Sequence, residues 1–135
     1  MHRTATFAAA AIIALSAAAP AAASPAHTAD EVPMPAQGLL LTVSGSENTW
    51  IRGVVLQCPA QTDGPHPHAG AACTALSAAD GDLDALPGDP RPCDRRFDPV
   101  TVSATGTWRG LPIAWHRTYP NACALDVATG VVFRF

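Results

Sequence analysis

Cys93-Asp94-Arg95-Arg96-Phe97-Asp98-Pro99-Val100-Thr101-Val102-Ser103 sets a cysteine and an arginine pair directly in front of a period-two run. Val100 and Val102 alternate with Thr101 and Ser103, the pattern of a strand with one face buried. The alternation predicts a strand over 99–107. A partner is predicted over 111–119, joined across a tight turn near Arg109-Gly110. Pro112 has no amide hydrogen for a ladder, so it is expected at an unpaired position near the start of that partner. The two arginines therefore sit in an extended lead-in, fixed on one side by a cysteine and on the other by Pro99.

Further strands flank this hairpin in the sequence. Leu39-Leu40-Leu41-Thr42-Val43-Ser44 reads as a strand ending at the turn-forming Gly45-Ser46-Glu47-Asn48. Trp50 to Cys58, with Ile51, Val54, Val55 and Leu56, is its expected hairpin partner. Ala71, Ala72, Ala75 and Leu76 recur at helical spacing and predict a short helix over 69–78 with Cys73 at its middle. Asp80-Gly81-Asp82-Leu83-Asp84 lacks the ligand series and closing glutamate of a calcium loop. It is read as solvated turn carboxylates with Leu83 and Leu86 turned inward. Pro87, Pro90 and Pro92 stiffen the approach to Cys93 and disfavour helix. One helical turn is expected over 126–129, and the alternating Val131-Val132-Phe133-Arg134-Phe135 as a last strand. The sum is an α+β sheet domain of five strands and one or two short helices.

The beginning of the chain reads as an export signal. Met1-His2-Arg3 is followed by an apolar or small run to Ala19, then Pro20 and Ala21-Ala22-Ala23. The run is short of the roughly 20 strongly apolar residues of a membrane span. Cleavage is expected after Ala23, with Ala26 the second candidate. Residues 24–37, with three prolines and little periodicity, form the expected N-terminal arm, and 38–135 the domain.

The chain has eight arginines, no lysine and a formal net charge of −3. A mildly acidic protein without a basic patch is a poor nucleic-acid binder. Four cysteines, Cys58, Cys73, Cys93 and Cys123, in an exported chain argue for two disulfides, and their spacing allows three connectivities. Pairing of sequence neighbours would close spans of 15 and 30 residues. Zinc held by cysteines with His66 and His68 is the competing use, but no two cysteines form a close chelating pair. No metal or cofactor is expected. No Gly-x-Ser-x-Gly elbow or serine-histidine-acid motif marks the chain as an enzyme.

Arg95 and Arg96 carry the functional chemistry. A guanidinium is a planar five-donor group suited to a buried carboxylate pocket, such as the one with which trypsin-like proteases read substrates. An arginine held extended beside a cystine fits that pocket as bait. Solvated charges paired to Asp94 or Asp98 would contribute little and imply no such role. A processing site and a small secreted binding or structural domain without inhibitory activity are the other readings of the same residues.

The region from Gly38 to Phe135 resembles the subtilisin inhibitor-like family of secreted actinobacterial proteins. The resemblance rests on Leu41-Thr42-Val43, Leu56-Gln57-Cys58-Pro59, Gly64-Pro65-His66-Pro67 and Ala71-Ala72-Cys73. It continues through Gly81-Asp82-Leu83-Asp84-Ala85-Leu86, Phe97-Asp98-Pro99-Val100, Gly106-Thr107-Trp108-Arg109-Gly110, Asn121-Ala122-Cys123 and Ala128-Thr129-Gly130-Val131-Val132-Phe133. It implies a five-stranded antiparallel β-sheet with two short helices and two disulfides, the pairs Cys58–Cys73 and Cys93–Cys123, together with a homodimer and inhibition of serine proteases without catalysis. Leu39–Val43, taken as an exposed apolar strand, is the candidate dimer surface.

By that resemblance Cys93 is P3, Asp94 P2 and Arg95 P1, and the reactive bond joins Arg95 to Arg96. Phe97 then lies at P2′, Asp98 follows it, and Asn121 braces the loop beside Cys123. The chain departs from the family at Asp94, where an uncharged residue is common, and at Arg95, where many members are apolar. Arg95 favours trypsin-like targets, with subtilisin-like ones a second class. Pro92 at P4 disfavours furin-like enzymes, which read a further basic residue there.

Overall fold

The computed structural model describes residues 38–135. The expected signal segment 1–23 and arm 24–37 lie outside the described residues. Four strands form one antiparallel sheet: β1 (Gly38–Gly45), β2 (Ile51–Leu56), β3 (Val100–Trp108) and β4 (Leu111–Tyr119), in the order β2-β1-β3-β4. Helix α1 (Ala69–Ala78) and helix α2 (Ala122–Thr129) complete the fold.

Period-two alternation divides the sheet into a core face and an open face. Leu39, Leu41 and Val43 of β1 point with Val100, Val102 and Ala104 of β3 into the core. Ala72 and Leu76, one helical turn apart on α1, cover this face together with Leu83, Leu86 and Leu125. The inward role expected for Leu83 and Leu86 is therefore observed. Arg109 and Gly110 both have positive φ, as a two-residue type I′ turn requires, and close the β3–β4 hairpin. Pro112 is the second residue of β4, opposite Thr107, on an edge strand that tolerates a missing donor.

Two expectations are corrected. The segment 131–135 is not a fifth strand. Gly130, with φ 61, ends α2, and two turn hydrogen bonds follow, from Val132 N–H to Thr129 O and from Arg134 N–H to Val131 O. Val132 and Phe133 are both buried although adjacent, which a strand with one solvated face does not allow. Phe133 instead stacks on Trp115 of β4. The second correction concerns Leu39–Val43. This strand is central, and Leu39, Leu41 and Val43 are core residues, so it offers no exposed apolar ridge. The helical turn expected at 126–129 is the second half of the longer α2.

Gly88 brings the approach to Cys93 against α2. Its φ is +66, and a Cβ there would run into the Val127 carbonyl oxygen, next to the point where Asp89 N–H donates to that same oxygen at 3.1 Å. Replacing Gly88 with Ala is expected to destabilise the fold by about 2 kcal/mol or more, because left-handed strain and backbone collision act together. Thermal unfolding of the oxidised protein measures this, and an unchanged midpoint contradicts it.

Candidate functional site: a loop tied to the start of a helix

Asn121 is the N-cap of α2. Its backbone is extended, and its Oδ1 accepts the Ala124 N–H at 2.8 Å, satisfying one of the donors that a helix start leaves open. The other end of the carboxamide faces the loop, where Nδ2 donates to the Arg96 carbonyl oxygen at 2.8 Å. These partners fix the amide orientation, since only its oxygen can accept and only its nitrogen can donate.

The residues beside Asn121 hold the loop as well. Cys123 is bonded to Cys93, and the Pro120 carbonyl accepts the Asp98 N–H at 2.9 Å. Positions 93, 96 and 98 are thus tied to 123, 121 and 120 in reverse order. The loop runs antiparallel to the entrance of α2. The second disulfide, Cys58–Cys73, links the segment after β2 to the middle of α1. Both pairings are those the family resemblance implies.

Between its tethers the loop is open to solvent. Asp94, Arg95, Arg96, Phe97 and Asp98 are all exposed, Phe97 to 78%, while Cys93 is half-buried. Among the described residues, no ion pair involves Arg95 or Arg96. Ion pairs of these guanidiniums with Asp94 or Asp98, the competing reading of the same residues, are therefore not formed. Asp94 Oδ1 accepts instead from the backbone N–H of Arg96, at 3.4 Å.

The approach to the loop carries a charge network that has no signal in the sequence. Arg91 bonds Asp89 at 2.9 Å and Asp126 at 2.8 Å, and Arg134 reaches the same two carboxylates at 3.5 and 3.3 Å. Single exposed pairs of this kind contribute little, but four groups sharing partners constrain one another. No local pattern links residues so far apart in sequence. The cap role of Asn121 did have a signal, an asparagine immediately before a segment with Leu125 and Thr129 at i, i+4 spacing. At the end of β4, burial pushes the Tyr119 phenol above its ordinary value, so this neighbour of Pro120 stays neutral.

Among the described residues the histidines, His66, His68 and His116, do not converge on a catalytic arrangement. His66 is buried, its Nδ1 accepts from His68 N–H at 3.0 Å, and Nε2 therefore donates to Val132 O at 2.9 Å. His116 is exposed on the open sheet face opposite Ser103, whose hydroxyl bonds Thr42 Oγ1 at 2.6 Å. A groove of about 730 Å³ lined by Leu39, Leu56, Cys58, Cys73, Thr107 and Trp108 shares no residue with the 93–98 loop. The loop is an exposed surface tied down at Cys93, Arg96 and Asp98.

The family model described as subtilisin inhibitor-like matches residues 35–121. Subtilisin inhibitor-like protein 5 of Streptomyces fradiae is 41% identical over 102 residues, covering 72% of this chain and 95% of that protein. A subtilase-type protease inhibitor of the same organism is 36% identical, with 82% of each chain covered. Among solved structures, Streptomyces caespitosus sermetstatin in complex with Bacillus licheniformis subtilisin aligns with a TM-score of 0.56 and 36% identity. That alignment covers 73% of this chain and 97% of sermetstatin. These relatives are protease inhibitors and not catalytic enzymes. The chain belongs to the subtilisin inhibitor-like family.

Proposed function

We propose that the protein is a secreted, substrate-like inhibitor of serine endopeptidases that presents Arg95–Arg96 as its reactive bond. The observation that carries this reading is the exposed pair of arginines pinned on both sides to the first turn of α2, through Cys93–Cys123 and Asn121–Arg96. A loop already held in one shape loses little entropy on binding, which leaves more of the contact energy as affinity. Flanking backbone groups pair with enzyme strands in the manner of β-strand addition, and the Arg95 carbonyl faces the protease's oxyanion hole. Export is supported by the signal-like opening and the two disulfides.

Target preference follows from the Arg95 side chain, which has no ion pair among the described residues. The Arg95 guanidinium suits an acidic specificity pocket, which favours trypsin-like enzymes. The solved relative bound to subtilisin supports subtilisin-type enzymes as a second class. The family resemblance also implies a homodimer. The surface left for it is the open sheet face, with Leu40, Thr42, Val55 and Ala114. Light scattering on the purified protein is expected to give twice the chain mass, and a monomer at micromolar concentration argues against this assembly.

Titration of trypsin and subtilisin with the oxidised protein tests the inhibitory reading directly. Arg95→Ala is expected to weaken trypsin binding by on the order of 2–5 kcal/mol, the cost of removing one partner of a buried charge pair, while Arg96→Ala costs much less. The loss against subtilisin is expected to be smaller. If Arg96→Ala is the more damaging with trypsin, the reactive bond is displaced by one residue; if neither matters, the loop is not the inhibitory surface.

Asn121 offers a separate check, because its two bonds can be uncoupled. Asn121→Asp keeps a cap oxygen for Ala124 but sets a carboxylate against the Arg96 carbonyl, so inhibition is expected to fall while the helix cap survives. Asn121→Ala loses both bonds and about 1 kcal/mol of fold stability in addition. Inhibition constants and unfolding midpoints for both variants separate the roles, and full inhibition by Asn121→Asp would remove Asn121 from the loop's support.

A further inference from the structure

We infer that Asp94 is a positioning residue that holds the amine side of the reactive bond and favours its resealing over release, an inference that rests on the assignment of Arg95–Arg96 as that bond. Asp94 lies on the acyl side of the bond, and its Oδ1 accepts from the Arg96 N–H on the leaving side at 3.4 Å. The nitrogen held in this way is the leaving atom itself. No ion pair among the described residues involves Asp94, so its carboxylate faces backbone and not either neighbouring guanidinium. The Arg96 carbonyl is held from the other side by Asn121 Nδ2 at 2.8 Å. Both backbone polar groups of Arg96 therefore have a fixed partner.

The consequence appears when a protease acts. Attack of its serine oxygen on the Arg95 carbonyl carbon forms an ester and breaks the bond to Arg96 nitrogen, which takes a proton from the protease histidine. In the reverse step that amine attacks the ester carbon, the carbon–nitrogen bond re-forms and the carbon–oxygen bond breaks. The amine proton returns through histidine to the serine oxygen. Resealing is fast in proportion to the time the amine spends beside the ester. The amide N–H of the intact loop makes a long hydrogen bond to Asp94. The amine or ammonium that replaces it is a stronger donor to the same carboxylate, so the contact tightens once the bond is cut. The disulfide and Asn121 reach the two sides of the bond through α2, whereas the Asp94 contact crosses it directly.

Two variants and two readouts test this. Asp94→Ala removes the acceptor, and Asp94→Asn keeps an acceptor oxygen without the charge. Amide hydrogen exchange at Arg96, measured by NMR on the free oxidised protein, is expected to be about fivefold faster in Asp94→Ala, the size of one net hydrogen bond. Starting from protein already cut at Arg95–Arg96, resealing to the intact form by a catalytic amount of trypsin is expected to be about fivefold slower in Asp94→Ala, with Asp94→Asn between the two. Equal resealing rates in wild type and Asp94→Ala overturn the inference and leave the inhibitor reading intact. Unchanged Arg96 exchange overturns it by showing that the contact does not hold the amide. If the wild type is not cut at Arg95–Arg96 or does not inhibit, the inhibitor reading fails and this one with it. That failure shows in the wild type alone.

Discussion

The carboxamide of Asn121 joins two structural problems with one side chain. A helix start needs an acceptor for its free N–H groups, and an exposed loop needs a donor to hold a carbonyl in place. Asn121 supplies both, at 2.8 Å each. Because its oxygen is committed to Ala124, the nitrogen cannot rotate away from Arg96 without uncapping α2. The helix is in turn seated by buried Leu125 and Thr129, the latter bonding back to the Leu125 carbonyl at 2.9 Å. Rigidity at the surface is thus transmitted from the core through one turn of helix.

The core itself is one-sided, which explains where the crosslinks fall. A sheet with a single covered face and two short helices buries modest apolar area for a domain of this size. The two disulfides offset this by restricting the unfolded chain, by about 3 and somewhat under 4 kcal/mol on the loop-closure account. Each fastens a helix to a segment that the sheet does not hold: the stretch after β2 for α1, and the exposed loop for α2. The C-terminal residues finish the cover. Phe133 stacks on Trp115, and the Val132 carbonyl receives the buried His66 ring, so the tail serves as a plug in the core layer.

How much of this the sequence disclosed depends on the range of the interaction. The four strands and α1 were legible because alternation and helical spacing are local signals, and β4 and α1 occur over the expected residues. The same signal misled at Val131–Phe135. Five alternating residues cannot distinguish a strand from a turn that drives two adjacent side chains into the core. The disulfide pairing and the bracing role of Asn121 entered through family resemblance, since spacing left three pairings open. The network of Asp89, Arg91, Asp126 and Arg134 was illegible, because its charges meet only after α2 has docked beside the loop's approach. The Asp94 contact was half legible: a partner at Arg96 was foreseeable, but not that it would be the backbone.

The tethers of the loop engage the Cys93 sulfur, the Arg96 carbonyl and the Asp98 amide. None of them uses the side chain of residue 95. The side chain of residue 95 can therefore be exchanged without disturbing what holds the loop. Length has no such freedom, because an inserted or deleted residue between 93 and 98 would put the antiparallel contacts with 120–123 out of step. A scaffold of this kind tolerates substitution at one position and resists insertion, so the chemistry of the exposed side chain can vary while the architecture stays fixed.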